Sequence, residues 1–335
     1  MQDITIAMPF VRLGLQGATQ AGYDTDRLLK SAGIAPSLLC LPRARVPAQH
    51  FVELVRVLQR EMADEAMGLL ARPQKLGTFA LITRALLQEP DLYQALTRYA
   101  DYYNWFDNGL VTGVHESDGE IVVTLTRSHG HAVLNHYIIE SAAMTLHRFL
   151  SWLCRSRIEL NAVRLDYPEP RWSEEYHSLF FGSPVGFDAP VTELRFSERY
   201  ATLKPQRTLA SLNAYINRAP ADMFRPLFTK LFSHQVRSRI IQQLQHGAGL
   251  PEMEQVAADL ALHSQTLRRR LAGEETTYLR LRTQARRDYA LWLLSNESGL
   301  SVAEVADRVG FTESSAFIRA FKGWSGMTPV AYRKL

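Results

Sequence analysis

The sequence predicts an α+β domain over residues 1–205, a helical connector over 206–234 and an all-α domain with tandem helix–turn–helix units over 235–335. Two observations support this division. Short β-branched runs alternate with helical patterns only before residue 205, and every strong pattern after Pro205 has helical spacing. The excess positive charge also lies in the last third. His234–Leu335 holds 14 Lys and Arg against 10 Asp and Glu, whereas the rest of the chain holds 24 of each sign.

The first ~105 residues are predicted to be mostly helical. Pro47 is placed in the first turn of a helix that continues to Leu58, and another helix starts at Leu76. Asp91, directly after Pro90, is suited to cap a third helix.

The pattern then changes to strands around one long helix. The β-branched runs 110–115 and 120–126 flank Ser117-Asp118-Gly119, a hairpin signal. A long apolar helix is predicted from about His131 to Arg155. Further strands are predicted at 162–167 and 193–196, around a short helix near Ser173–Phe181.

Composition limits the function classes. No apolar run approaches the roughly 20 residues of a membrane span, and the N-terminus lacks the features of a signal peptide, so we expect a cytoplasmic protein without membrane contact. Cys40 and Cys154 are the two cysteines, and two buried thiols are favoured over a disulfide. The neutral first two thirds and the basic last third are typical of a nucleic-acid-binding module joined to a neutral partner.

Residues 251–271 have the pattern of a helix–turn–helix unit. Pro251 is expected to open a first helix that turns Val256, Ala257 and Leu260 inward, and a turn follows at 261–264. In the second helix Leu267 and Leu271 are spaced i,i+4 as apolar anchors, which leaves Gln265, Arg268 and Arg269 facing outward.

The same arrangement recurs about fifty residues later. Ser301 and Glu304 form a capping box, and Gly310 suits the positive φ of a helix C-terminus. Thr312 is expected to cap the next helix, whose anchors are Phe317 and Phe321. Between the units, 276–294 is predicted to be one rigid amphipathic helix. Its inward residues are Leu279, Ala285, Tyr289 and Leu293.

The C-terminal residues resemble a known family. Gly310-Phe-Thr-Glu-Ser-Ser-Ala-Phe-Ile-Arg-Ala-Phe-Lys322, followed by Gly326-Met-Thr-Pro329-Val-Ala-Tyr332-Arg333, is similar to the signature of AraC/XylS regulators. The resemblance covers about 235–335. Residues 1–200 more loosely resemble the sensing domain of the ornithine/arginine-regulator branch, at Leu76-Gly-Thr-Phe-Ala and at 92–99.

The resemblance implies a set of DNA contacts. The expected DNA-binding residues are Ser264, Gln265, Arg268, Arg269, Thr312, Ser314, Ser315 and Arg319. Arginine pairs bidentately with guanine and glutamine with adenine, so we predict that the first unit sets sequence specificity and that the second mainly holds phosphate. His263 departs from the family pattern, which has a capping serine there, and Ser264 is the alternative cap.

The N-terminal domain is implied to bind an effector or to dimerise. The candidate ligand-binding residues are Phe79, Tyr102, Tyr103, Trp105, His136 and Glu140. Core packing of the aromatic residues and a satisfied histidine–carboxylate pair are the alternative interpretations. His129 and His131 lack further ligands at metal spacing, so no metal site is expected.

The sequence lacks the phosphate-binding, dinucleotide, metalloprotease and serine-hydrolase motifs, so we expect neither an enzyme nor a cofactor. The predicted function is sequence-specific regulation of transcription, controlled by a small-molecule effector; the resemblance implies activation. The partners that the resemblance implies are double-stranded DNA, RNA polymerase and a second copy of the chain. The alternative is a DNA-binding regulator whose N-terminal domain only dimerises or contacts a protein.

Overall fold

The computed structural model describes residues 4–128, 135–180, 182–218, 231–247, 249–274 and 276–334. The first part of the chain forms these elements: β1 Thr5–Ala7, α1 Met8–Gln20, α2 Thr25–Ser31, β2 Arg45–Pro47, α3 Ala48–Met62, α4 Thr78–Ala85, α5 Leu92–Asn104, β3 Leu110–Ser117, β4 Glu120–Arg127, α6 His136–Leu153, β5 Leu160–Arg164, α7 Tyr176–Leu179, β6 Val185–Gly186, β7 Thr192–Ser197 and α8 Leu209–Arg218. The later part is helical: α9 Phe232–Gln245, α10 Met253–Asp259, α11 Ser264–Gly273, α12 Tyr278–Asn296, α13 Val302–Arg308, α14 Ser314–Ser325 and α15 Pro329–Arg333.

These elements form two compact units. Residues 9–32 and 52–218 make up one, called here the sheet unit, and residues 4–8, 33–51 and 231–334 make up the other, called the helical unit. The predicted fold class, an α+β part followed by a helical part, is confirmed. The predicted boundaries at 205 and 235 stay a prediction; α8 lies in the predicted connector, and 219–230 fall outside the described residues.

The sheet unit is built on five strands in the order β3-β4-β7-β5-β6. All neighbouring pairs are antiparallel except β5 with β6. β3 and β4 form the predicted hairpin, with Asp118 and Gly119 at positive φ in its turn. The turn residues thus predicted the first pair of strands in the sheet. β5 and β7 confirm the two later predicted strands.

The long helix α6 is shorter than predicted. Asn135 is its N-cap and accepts a hydrogen bond from the backbone N–H of Tyr137, so the helix begins at His136. Most of the helix is buried, including the polar side chains of Glu140 and His147. The earlier part of the predicted helix, with His131, lies outside the described residues, as does the neighbouring His129.

The helical unit contains a small sheet that the sequence did not indicate. β1 pairs with β2 in antiparallel register, with Thr5 opposite Pro47. The expectation that Pro47 lies in the first turn of a helix is therefore wrong, because Pro47 ends β2 and α3 begins at Ala48. A strand of three residues is too short to show the alternation of apolar and polar residues that identifies a strand. The helical spacing of the residues after Pro47 therefore dominated the prediction.

Helix α12 is the central element of the helical unit and contacts α9, α13, α15 and β2. Ala285, Tyr289 and Leu293 are buried as predicted. Leu279 was predicted to face inward, but it is 68% exposed. It is the second residue of α12, in the first turn after the N-cap Thr277.

Both cysteines are free thiols. Cys154 is buried, and burial raises the pKa of its thiol to about 11. Cys40 is exposed, so the expectation of two buried thiols is wrong for this residue. Its 3-10 turn, Pro36–Cys40, buries Leu38 and leaves the last residue in solvent.

None of the helices in the described ranges combines the length and the apolar character needed to cross a membrane. The same ranges hold no group of three or more His, Cys, Asp or Glu side chains arranged as a metal site.

Candidate nucleic-acid interface

The first helix–turn–helix unit consists of α10, a short turn and α11. After α10, the N–H of Ala261 bonds to the carbonyl of Ala258 at 2.9 Å, and the N–H of Leu262 bonds to that of Ala257 at 2.9 Å. Ala261 has φ 53°, a conformation that normally favours glycine. These two bonds end α10 and turn the chain into α11.

The caps of this unit differ from those expected. Glu252 is the N-cap of α10 and forms a capping box with Gln255, so Pro251 precedes the helix and does not open it. His263 is the N-cap of α11, and its Nδ1 accepts the backbone N–H of Gln265 at 3.3 Å. Ser264 is therefore the first helical residue and not the cap, because the imidazole nitrogen takes the place of a serine hydroxyl.

α11 has a buried side and a basic side. Leu267 and Leu271 are buried as anchors, as predicted. Gln265, Arg268 and Arg269 are exposed, and neither arginine has a hydrogen-bond or ion-pair partner among the described residues. The helix thus presents two uncompensated guanidinium groups and one amide to solvent, which are the groups that bind phosphates and base edges.

The second unit repeats this plan with a longer turn. Ser301 and Glu304 form the predicted capping box at the start of α13. Gly310 has φ 76°, and its N–H and that of Phe311 bond to the carbonyls of Asp307 and Ala306, at 2.8 and 2.9 Å. Gly310 therefore occupies the position that Ala261 has in the first turn.

The start of α14 differs from the prediction. Thr312 was expected to cap this helix, but Glu313 occupies the N-cap position without a side-chain cap bond. The reason is that the second turn is one residue longer, so Thr312 lies one position too early. Ser315 donates to the Glu313 carboxylate at 3.2 Å, which holds the carboxylate beside the first turn of the helix.

The outer side of α14 is less basic than that of α11. Phe317 and Phe321 are buried anchors with ring centroids 5.6 Å apart, as predicted. Ser315 and Arg319 are exposed and Ser314 is half-buried. Arg319 is, like the arginines of α11, without a partner in the described part of the chain.

Arg286 of α12 holds the second turn, and sequence reasoning missed it. Its Nε donates to the carbonyl of Val309 and its Nη2 to that of Gly310, both at 2.9 Å. The guanidinium carbon lies 3.5 Å from the ring centroid of Phe311. Burial, with Arg282 nearby, lowers the pKa of Arg286 to about 10. Its place beside Ala285 and three residues before Tyr289 was a signal that it faces inward.

A second polar cluster lies on α12 at Asp288, which is buried. Its carboxylate accepts hydrogen bonds from Thr5 of β1 at 2.5 Å, Arg237 of α9 at 2.9 Å and Arg287 at 2.9 Å. Arg45 of β2 donates to the hydroxyl and the carbonyl of Thr5, at 2.7 and 2.8 Å. Burial by itself would raise the pKa of Asp288, but Arg287, Arg237 and Arg45 outweigh it and hold the pKa below its ordinary value. The cluster ties the β1–β2 sheet to the helix that joins the two helix–turn–helix units.

Comparison with known families agrees with this architecture. Residues 22–205 match the arabinose-binding domain found at the N-terminus of AraC transcription regulators. Residues 256–335, which hold α11 to α15, match a helix-turn-helix domain. The chain belongs to the AraC family of transcription regulators. It is accordingly a DNA-binding regulator in which a sensing-type domain precedes the tandem units.

Relatives of this AraC-family chain extend over nearly its whole length. It is 25% identical to the ornithine utilization regulator of Pseudomonas aeruginosa, over 93% of this chain and 91% of that protein. It is 27% identical to an HTH-type transcriptional regulator of Mycobacterium tuberculosis, over 95% of this chain and 93% of that protein. The crystal structure of the transcriptional regulator CdpR from Pseudomonas aeruginosa aligns with 93% of this chain and 99% of that chain, at 23% identity and a TM-score of 0.35.

The candidate ligand residues of the sheet unit lie in separate places. Phe79 packs edge-on against Phe149, with centroids 5.7 Å apart. Tyr103 is half-buried and packs on Tyr99, with centroids 4.4 Å apart. Tyr102 and Trp105 contact each other at the surface, where Trp105 is 76% exposed. Ligand binding by these aromatic residues stays a prediction.

His136 and Glu140 are together, with Nε2 of the histidine 3.7 Å from Oε1 of the glutamate. Two tyrosines that sequence reasoning missed complete this site: Tyr167 donates to Oε1 at 2.6 Å, and Tyr176 donates to the same atom. They are 27 and 36 residues from Glu140 along the chain, so no local spacing connects them. A ligand role for His136 and Glu140 also stays a prediction.

Proposed function

We propose that this regulator binds a small-molecule effector in its sheet unit and that the bound effector changes its action at promoters. The observation that carries the proposal is that one chain combines a match to an arabinose-binding domain with a helix-turn-helix match. A relative aligned across both regions is a regulator of ornithine utilization, which supports an amino acid or a related amine as the effector class. We infer that the protein works in the cytoplasm as a homodimer and activates transcription through RNA polymerase.

The proposal assigns different roles to the two DNA-binding helices. Gln265, Arg268 and Arg269 on α11 contact base edges, where one bidentate arginine or glutamine contributes about 1–3 kcal/mol of discrimination. The surface of α14 offers Ser314, Ser315 and Arg319, which suit phosphate contacts. Helix α12 spans about 28 Å at 1.5 Å per residue. Its length fits units that act in successive major grooves about 34 Å apart.

A second candidate function is a sheet unit that serves only for dimerisation or contact with a protein. Its support is the exposed aromatic surface at Trp105 and Phe106, beside the half-buried Tyr102. This version predicts no saturable binding of a metabolite.

The first experiment selects genomic DNA fragments with the purified protein and sequences the recovered sites at several salt concentrations. We expect a two-part motif with about ten base pairs between the parts. Arg268→Ala should weaken binding and relax the preference at one base position. Arg319→Ala should weaken binding to all sequences alike and reduce the salt slope by about one. Lys204→Ala, an exposed basic position in the sheet unit, is the control.

Equally sharp base preferences in both half-sites would contradict the division of roles. Absence of any enriched motif, with and without cell extract, would contradict sequence-specific binding. The effector version is tested by thermal unfolding with a metabolite panel, because a ligand that binds the folded state stabilises it by RT ln(1 + [L]/Kd). A panel without any stabilising metabolite favours the interaction-only version.

A further inference from the structure

Glu140 is a buried carboxylate, and only one of its two oxygens accepts hydrogen bonds from the described residues. The residue is 4% exposed, near the start of α6. Both tyrosine hydroxyls, from Tyr167 and Tyr176, donate to Oε1. Within the described ranges nothing donates to Oε2. A buried carboxylate is costly unless its charge is compensated, so this half-occupied group requires a physical explanation.

Aromatic rings pack against the three side chains nearest the carboxylate, which are His136, Tyr167 and Tyr176. The ring of His136 stacks on that of Tyr167 at 4.4 Å and lies 6.4 Å from that of Trp172. Phe187 lies 5.4 Å from Tyr176 and 6.0 Å from Tyr167, measured between ring centroids. The faces of such rings carry negative electrostatic potential and attract cations.

Two further polar atoms in this aromatic set have no hydrogen-bond partner among the residues that the structure describes. They are Nε2 of His136 and Nε1 of Trp172, both shielded from solvent. The histidine nitrogen is 3.7 Å from the carboxylate, too far for a hydrogen bond. The indole N–H comes near enough to the Tyr176 hydroxyl to oppose the rise of its pKa, yet it makes no hydrogen bond of good geometry. Buried polar atoms without partners are rare in native proteins, and two of them beside one half-used carboxylate indicate a site for a polar ligand.

We propose that Glu140 and the surrounding aromatic side chains bind the ammonium group of a small organic amine, which is the effector. This inference rests on the proposed function and specifies its ligand. The carboxylate and the ring faces both favour a cation over a neutral or an anionic group. The indole N–H of Trp172 and the imidazole of His136 then hydrogen-bond the polar remainder of the amine, which must include an acceptor.

The protonation of the site fits this ligand. Burial raises the pKa of Glu140 to about 7, and the hydrogen bonds from Tyr167 and Tyr176 oppose the rise. Burial lowers the pKa of His136, so its ring is neutral at pH 7; Arg127 lowers this pKa further, and Asp166 raises it. An arriving ammonium group therefore replaces a proton on Glu140 in part of the molecules, and the released proton goes to the buffer.

The test is titration calorimetry of the full-length protein near pH 7, in buffers of different ionisation enthalpy. The probes are L-ornithine and pentanoate, which has the same carbon chain and carboxylate without either amine. We expect L-ornithine to bind and to release about half a proton, because a carboxyl of pKa about 7 is half protonated at this pH. Pentanoate should bind at least about tenfold more weakly.

The matched variants are Glu140→Gln and Glu65→Gln. Glu65 is another carboxylate whose pKa burial raises, and it holds the backbone N–H groups of Gly77 and Phe79. Glu140→Gln should lose at least about tenfold in affinity for L-ornithine and should release no proton on binding. Glu65→Gln should retain both the affinity and the proton release. If Glu140→Gln does not fold, Tyr167→Phe replaces it, with an expected loss of several-fold and an altered proton release.

Unchanged binding and proton release in Glu140→Gln would overturn the inference. Stabilisation by a neutral sugar such as L-arabinose, with no response to L-ornithine, would overturn it as well. That last result would leave the proposed function standing, because a small molecule would still be sensed. Selection of a DNA motif by the same protein samples reports independently on whether the DNA-binding function is intact.

Discussion

Ala261 and Gly310 occupy the same position in the two turns and make the same pair of backbone hydrogen bonds. Their φ angles are 53° and 76°. A Cβ in this left-handed region costs roughly 1–2 kcal/mol, so the first turn carries strain that the second avoids. Sequence reasoning identified the glycine by its role and did not detect the strained alanine, because alanine gives no turn signal.

Ala261→Gly should therefore stabilise the helical unit. Relief of the Cβ strain outweighs the greater freedom of glycine in the unfolded chain, for a net gain of about 0.5–1 kcal/mol. The reverse change, Gly310→Ala, should destabilise by more than 1 kcal/mol as a rough figure, because its Cβ would also lie 2.9 Å from that of Leu250. Urea unfolding followed by tryptophan fluorescence measures both. A neutral or destabilising Ala261→Gly would contradict the strain argument.

The raised pKa of Glu140 predicts a pH dependence of stability in the absence of ligand. The ordinary pKa is 4.5, and the folded-state pKa is about 7, so the folded protein holds more protons than the unfolded chain between these values. Stability from this group is present below about pH 4.5 and is lost as pH rises through 7, with a slope of at most about 1.4 kcal/mol per pH unit.

Glu140→Gln should flatten this part of the stability curve. The quantity to measure is the difference in unfolding free energy between wild type and Glu140→Gln at pH 5, 6 and 7. The difference cancels the contribution of Glu65, whose pKa is also raised. A difference that does not change with pH would show that Glu140 is already ionised in the folded protein.

At the scale of elements, α12 positions the second DNA-binding unit through Arg286. The two hydrogen bonds to the end of α13 and the contact with Phe311 fix the turn that leads into α14. Arginine suits this position because its planar group bonds two carbonyls while it covers a ring, and lysine cannot do both.

Arg286→Lys should thus weaken contacts to the half-site bound by α14 while those of α11 persist. We expect a loss of about tenfold in affinity for the full site, equivalent to about 1.4 kcal/mol. The loss should vanish on DNA whose second half-site is scrambled. Arg282→Lys is the control, because Arg282 forms a long ion pair with Glu252, at 3.9 Å, which a lysine can also form. An equal loss on scrambled DNA would mean that Arg286 supports the whole unit and not the second turn.

The elements that the sequence predicted well are those defined by local chemistry. The Asp118-Gly119 hairpin, the Asp91 cap, the capping box at Ser301 and the phenylalanine anchors each depend on residues a few positions apart. The elements it missed depend on distant partners. β1 pairs with β2 across forty residues, and the exposure of Leu279 depends on which helices lie near the start of α12.

The caps show the same limit at finer scale. His263 and Glu313 occupy N-cap positions for which the sequence suggested Ser264 and Thr312. One additional residue in the second turn moves the start of α14. Helix propensities and capping preferences do not locate a helix start to within one residue. The DNA-contact set keeps its outward residues, because the anchors Leu267 and Phe317 fix the rotation of each helix.

At the scale of the whole molecule, the helical unit is assembled from separate parts of the chain. Residues 4–8 and 33–51 belong to it together with 231–334, and Asp288 joins them through Thr5 and three arginines. Its pKa is held below the ordinary 3.8, so the stability it contributes is present above about pH 4 and is lost as pH falls through the lower folded-state value.

Asp288→Asn should destabilise the helical unit by about 3 kcal/mol, because it leaves the buried Arg45 and the half-buried Arg237 and Arg287 without their counter-charge. Thr5→Val removes two hydrogen bonds from the same cluster, the one donated to Asp288 and the one accepted from Arg45, and should cost about 2 kcal/mol. Thr97→Val, at an exposed helix position where the hydroxyl bonds within its own helix, is the matched control. Chemical unfolding at pH 7 measures the effect, and unfolding below pH 4 tests whether the effect is lost when Asp288 is protonated. Stability unchanged in Thr5→Val would mean that the N-terminal strands contribute nothing to this unit.

The origin of β1 and β2 near the N-terminus limits how this regulator can be recombined. A hybrid joined near residue 205 would keep Thr5 and Arg45 from one parent and take Asp288 and Arg237 from the other. Such a hybrid splits a polar cluster that lies inside a single compact unit. To exchange DNA specificity between relatives, residues 4–8 and 33–51 should therefore be transferred together with the C-terminal helices. The part that must be exchanged is therefore a discontinuous set of segments and not the C-terminal region alone.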